Sequence, residues 1–172
     1  GMMKREGQVQ GEWQFKDWPG VQKTQPHNMR GAVKGTMRGP GAIPPRRPYL
    51  VHIVTGDHFN AGTDAPVYIQ FLGEHGSSNP FNLDERTWIH KDDKGGKRVK
   101  MFQRNQADGF KVHINADLGK IVGLNVCCDA VEAREGIYLN RVEVEELDTG
   151  RWVVFRCDSW LDPREGSGKT KL

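Results

Sequence analysis

The oxygen-rich run Asn60-Ala-Gly-Thr-Asp64 is the part of this sequence best suited to chemistry. Asn60, Thr63 and Asp64 carry side-chain oxygens, and Gly62 lets a backbone carbonyl approach closely. That donor set suits a hard cation such as Ca2+, which takes ~6–8 oxygens, often from irregular loops. One loop supplies too few. The candidate second loop is Asp129-Ala-Val-Glu-Ala-Arg-Glu-Gly136, with three carboxylates ahead of the next apolar run. The competing reading is an Asx-turn loop with solvated acids, because Asn, Asp, Gly and Thr also build tight turns. Spacing alone leaves both readings open.

A second constellation is Lys91, Lys94, Lys97, Arg98, Lys100 and Arg104, interleaved with Trp88 and Phe102 and partly offset by Asp92 and Asp93. A basic hairpin carrying aromatics can dock on anionic headgroups, each cation near the surface contributing ~1 kcal/mol. A solvated turn fits the same residues. Other chemistries find no support. Gly166-Ser-Gly-Lys-Thr170 ends like a phosphate-binding loop, but Pro163 stands where the pattern needs glycine. The six histidines form no H-x-x-x-H pair, no G-x-S-x-G elbow occurs, and the cysteines sit in apolar runs without a neighbouring base. No catalytic residue is nominated, and an enzyme is not expected.

The elements that would position these loops follow from composition and pattern. The chain has 172 residues, enough for one domain with an extension, and 21 Gly plus 9 Pro point to a loop-rich β protein. Nine Lys/Arg and three Asp/Glu lie in residues 1–50, against sixteen and nineteen in 51–172. The remainder is therefore mildly acidic, which argues against nucleic-acid binding by the folded part. No run approaches the ~18 apolar residues of a membrane span, and no signal-peptide core opens the chain. Cys127, Cys128 and Cys157 are odd in number and two are adjacent. Reduced buried thiols are expected, hence an intracellular domain, cytoplasmic or peripheral to a membrane.

Residues 1–48 show no sustained period and read as a basic Gly/Pro-rich extension, with Trp13, Phe15 and Trp18 as a candidate docking segment. From Tyr49 onward, short β-branched and aromatic runs recur between turn clusters. They begin at residues 49–55, 66–72, 81–83, 87–90, 98–102, 109–114, 121–127, 138–144 and 152–157. Their spacing predicts an all-β, two-sheet antiparallel sandwich of about eight strands with no amphipathic helix. Residues 162–172 read as a polar, loose tail.

These runs resemble the PLAT domain, also called LH2. The resemblance lies in Tyr49-x-Val-x-x-x-Thr-Gly-Asp, Ala61-Gly-Thr-Asp-Ala-x-Val67, Phe71-Leu-Gly73, Met101-Phe-Gln-Arg104 with Asp108-Gly-Phe110, Leu118-Gly119, Tyr138-Leu-Asn-Arg-Val-Glu-Val144 and Phe155-x-Cys157-x-x-Trp-Leu161. It covers residues 49–161. Asn105 stands where the family has glycine, and Tyr138 where it usually has Trp. The resemblance implies a C2-like sandwich of two four-stranded sheets, without catalysis, that binds membrane lipid or a protein partner, in several members with Ca2+ at one end. It also implies a module of a larger multi-domain or tandem-repeat protein.

By position, the resemblance assigns calcium ligands to Asn60, Gly62, Thr63 and Asp64 on the first loop and to Glu135 and Gly136 on the second. Asn60 replaces a frequent aspartate, which would weaken the site. Phe59 at the loop tip and Trp88 are the expected insertion residues, with Lys94, Lys97, Arg98 and Lys100 meeting headgroups. A protein-interaction scaffold is the alternative expectation.

Overall fold

The computed structural model describes residues 45–89, 100–131, 135–162 and 169–172. They form ten strands in order: β1 (Arg47–Thr55), β2 (Val67–Gly73), β3 (Gly76–Ser77), β4 (Phe81–Asn82), β5 (Trp88–Ile89), β6 (Ala107–Ile114), β7 (Ile121–Cys128), β8 (Ile137–Glu146), β9 (Trp152–Leu161) and β10 (Lys169–Lys171). One sheet runs β5-β6-β1-β8-β9; the other runs β10-β7-β2-β3, with β4 also on β2. All pairings are antiparallel.

Alternation explains the first sheet. Tyr49, Val51 and Ile53 of β1 are buried while Leu50, His52 and Val54 are half-exposed, so every second residue enters the core. Strands β6 and β8 do the same with Phe110, Val112 and Ile114 and with Leu139, Val142 and Val144. The second sheet answers with Val67, Ile69 and Phe71 of β2 and Leu124 and Val126 of β7. Phe71 meets Tyr49 and Phe81 edge-on, at ring separations of 4.9 and 5.6 Å, which locks the sheets together. Each such buried side chain contributes ~1.5–3 kcal/mol.

The all-β, two-sheet expectation holds, and the strand count differs for a physical reason. Four of the ten strands are only two or three residues long, and pairing rather than propensity defines them. Lys169–Lys171, in the polar tail of the sequence, pairs with β7 opposite Cys127, Val126 and Asn125. In the opposite sense, Met101 and Phe102 form a turn where a strand was expected. Phe102 has φ 58° and is buried, so its apolar character reflects a turn folded into the core.

The strand directions gather the loops 56–66, 100–106 and 129–136 at one end of the sandwich. The chain entry at 45–46, the 115–120 loop and the β8–β9 turn lie at the other.

Candidate functional site

Backbone bonds weld the loop end into a rim. Loop 56–66 is held to both of its neighbours. Thr63 N–H donates to Phe102 O (2.9 Å) and Asn105 N–H to Gly56 O (3.1 Å) on one side; on the other, Tyr138 N–H donates to Ala61 O (2.9 Å) and Gly56 N–H to Tyr138 O (2.9 Å). A Cβ on Gly62 would sit 2.9 Å from Phe102 O, so only glycine permits that approach. The 100–106 loop is fixed from below by Asp108, which is buried. Its carboxylate accepts from Phe102 N–H (2.9 Å), from the Gln106 amide (2.8 Å) and from the Trp88 side chain. Burial raises the Asp108 pKa, and these three donors offset part of the rise. Asn105 has φ 55°, the left-handed region that Asn tolerates, which accounts for an amide at a family glycine position.

A depression lined by Thr63, Asp64, Asp84, Trp88, Lys100 and Phe102 among others runs along the side of the rim, and two more open on the rim itself. One is lined by Gly62, Thr63, Asp64, Ala65, Pro66, Asp129, Val131 and Glu135. It brings together four of the expected ligand residues and adds Asp129, whose N–H is anchored to Pro66 O at 2.8 Å. Asp64, Asp129 and Glu135 are exposed, so three carboxylates face one shallow space, and among the described residues no cationic side chain lines it. The other depression, lined by Phe59, Asn60, Gly62, Gln103 and Arg104 among others, takes Asn60. Asn60 has φ 60°, so its amide has a turn-forming reason to be there, and it stands apart from Asp129 and Glu135.

The remaining expected residues divide. Thr63 is buried, and its hydroxyl is fully engaged: it donates to Glu135 O and accepts from Ala65 N–H at 3.0 Å and from the Cys128 thiol at 3.8 Å. It therefore staples the first loop to the second. Gly136 donates its N–H to the buried Asp162 carboxylate (3.0 Å), and a Cβ there would lie 2.6 Å from Asp162 Cα. Phe59 is 79% exposed at its loop tip. Trp88 is half-buried, packed on the core and bound to Asp108, so it faces inward where exposure was expected. Lys100 is exposed, and its carbonyl accepts from Gln106. Lys94, Lys97 and Arg98 lie outside the described residues, as do Trp13 and Trp18.

Sequence reasoning missed Val131, which is 88% exposed on the second loop. A lone valine among acids has no periodicity to announce it. Val131 thus lines the acidic space, Phe59 lines the neighbouring depression that shares Gly62, Thr63 and Asp64 with it, and the Arg104–Asp57 ion pair (2.7 Å) borders Phe59 on the first loop.

The donors at the rim are all hard oxygens, which fits Ca2+ in chemistry. Among the described residues, however, no three Asp, Glu, His or Cys side chains gather closely enough to hold an ion. Asp64, Asp129 and Glu135 line one depression without forming such a group as they stand.

A two-sheet antiparallel sandwich with such a loop rim at one end defines a C2-like β-sandwich domain. The sequence profile of the PLAT/LH2 domain matches residues 49–172, and the chain belongs to that family. Human lipoxygenase homology domain-containing protein 1 is 33% identical over 122 residues, covering 71% of this chain and 5% of the relative. Mouse polycystin family receptor for egg jelly is 32% identical over 113 residues, 66% of this chain and 5% of the relative. The chain thus spans a small fraction of the curated relatives it matches. Among solved structures, coral 8R-lipoxygenase, described as calcium-activated through a C2-like domain, superposes with TM-score 0.54 at 25% identity over 73% of this chain and 16% of that one. Clostridium perfringens alpha-toxin shares the fold, with TM-score 0.54 at 15% identity over 77% of this chain and 33% of the toxin. Among the described residues no helix is long and apolar enough to cross a membrane.

Proposed function

We propose that this domain is a non-catalytic, calcium-modulated membrane-binding module that works through its loop rim. The observation that carries the reading is a pair of exposed apolar tips at the rim, Val131 lining the space shared by Asp64, Asp129 and Glu135, and Phe59 lining the adjoining depression that shares Asp64. Inserting the two tips gains ~1.5–3 kcal/mol each, too little for stable anchoring alone. Three carboxylates beside them oppose approach to an anionic surface. Ca2+ at those carboxylates converts repulsion into attraction, and Lys100, with Lys94, Lys97 and Arg98 on the same segment, adds ~1 kcal/mol per cation near headgroups.

Co-sedimentation with phosphatidylserine/phosphatidylcholine vesicles, in Ca2+ or in chelator, tests this. Binding should rise with Ca2+, fall in Asp64→Ala, and be lost in the double variant Phe59→Ser, Val131→Ser. Absence of binding in both conditions would refute the reading, and equal binding in chelator would remove the calcium component.

The scaffold alternative has one observation in its favour. Trp152 and Leu147 are exposed at the opposite end of the sandwich, away from the rim. A partner captured by wild type and lost in Trp152→Ala, with lipid binding unchanged, would support it.

A further inference from the structure

The outer face of the five-stranded sheet carries a recognition surface that the loop rim does not use. Cross-strand register sets Lys111, Leu50, Glu145 and Trp152 in one row across β6, β1, β8 and β9. Their in-line neighbours Tyr49, Val144 and Val153 turn into the core, so this row faces outward. Trp152 is 61% exposed, an unusual placement for indole, and half-buried Val154 lies two residues along the same face of β9. Beside Trp152, Glu145 is half-buried, and its carboxylate has no hydrogen bond or ion pair among the described residues. Its neighbours are served: Glu143 pairs with Arg141 at 2.7 Å and Glu146 with Arg151 at 2.9 Å. An exposed indole next to a free carboxylate on an apolar floor is a place for a cation with a hydrocarbon stem, held by ring face and charge together.

The chain itself carries such cations nearby. Residues 19–44 hold Lys23, Arg30, Lys34 and Arg38 and no acid. They lead into β1 at the same end of the sheet as the β8–β9 turn: Leu147 N–H donates to Pro48 O (3.1 Å), and Arg47 pairs with Asp148 (3.3 Å). Trp152 is level with Leu50, so from Pro45 it lies five residues along at ~3.3 Å each and two strands across at ~4.8 Å each, roughly 19 Å away. Seven residues separate Arg38 from Pro45, an extended reach of roughly 23 Å, so Arg38 and Lys34 both span the gap.

We propose that the basic segment 19–44 docks in cis on this face, with Arg38 or Lys34 seated at Trp152 and Glu145. The docked segment covers the exposed tryptophan and supplies the carboxylate with its missing partner. The proposal is independent of the rim and of lipid binding.

Limited trypsin digestion of the full chain tests it through cleavage after Lys34 and Arg38. Glu145→Gln and Trp152→Ala should each accelerate that cleavage about fivefold, the factor expected from losing one cation–π or charge contact. Arg38→Gln, which leaves the folded face untouched, should accelerate cleavage after Lys34 alike. Equal rates in wild type and all three variants would overturn the proposal. Carbodiimide cross-linking of mixed isotope-labelled and unlabelled protein supplies the second arm. A Glu145–Lys34 link within one chain supports docking in cis. Links found only between differently labelled chains would overturn it in favour of a second copy, and links from Lys34 spread evenly over other carboxylates would overturn it outright.

Discussion

Replacing Thr63 by valine separates two roles that the sequence left merged, calcium ligand and loop staple. Valine nearly matches the volume of threonine, so no cavity term enters and only the hydroxyl is lost. In the fold that hydroxyl makes two strong bonds, to Glu135 O and from Ala65 N–H, and takes a weaker one from the Cys128 thiol at 3.8 Å. Each net bond is worth ~0.5–1.5 kcal/mol. Glu135 is exposed, so water replaces Thr63 at its carbonyl and that loss stays small; Ala65 is half-buried and recovers less. The expected total is about 1–2 kcal/mol, and at ~2–4 °C per kcal/mol the melting temperature falls by about 2–8 °C. Thermal unfolding followed by circular dichroism in excess chelator is the assay, with Thr63→Ser as the control that keeps the bonds. A Thr63→Val protein that melts with wild type in chelator, and differs only when Ca2+ is added, would refute the staple and restore Thr63 as a ligand.

Three further outcomes follow from the same geometry. Gly136→Ala should cost about 2–4 kcal/mol in urea denaturation with or without Ca2+, because its Cβ would overlap the backbone at Leu161 and Asp162 and displace the Gly136–Asp162 bond. Asn105→Gly should be neutral within a few tenths of a kcal/mol, whereas Asn105→Val should cost ~1–2 kcal/mol for holding a β-branched residue at φ 55°. His113 has its pKa lowered below the ordinary 6.5, first by burial and then by Arg46 and Lys111. The folded form therefore binds fewer protons than the unfolded form in the window below 6.5, and stability must fall as pH drops through it. Melting curves between pH 5 and 7.5 should show that slope in wild type and a shallower one in His113→Gln; identical slopes would exclude the histidine as its source.

What was readable in the sequence is what repeats. Val51, Ile53, Phe110, Val112 and Ile114 alternate, and alternation survives translation into β1 and β6 without knowledge of partners. Phe102 misled because a buried aromatic in a left-handed turn looks the same as one in a strand until Asp108 is seen gripping its N–H. β10 was invisible because Lys-Thr-Lys has no strand signal of its own; β7 confers one by pairing. At the rim, Asp64 and Glu135, which the family likeness put forward as ligands, line one space. Asn60 and Gly136 also have backbone reasons to be there, which composition cannot distinguish from ligation. Val131 follows no pattern, and Trp88, bound to Asp108, shows that an aromatic near basic residues need not face outward.

The position of β1 between β6 and β8 bears on how the domain is made. The apolar faces of Val51 and Ile53 leave the ribosome early, but the strand that closes over one flank, β8, begins at Ile137, about 80 residues later. At ~5–20 residues per second, synthesis holds that flank of β1 unpaired for roughly 4–16 seconds. The central element of the finished sheet is thus its longest-exposed edge during translation. A slow codon run between β1 and β8 should therefore lower soluble yield, where the same run placed after β9 should not.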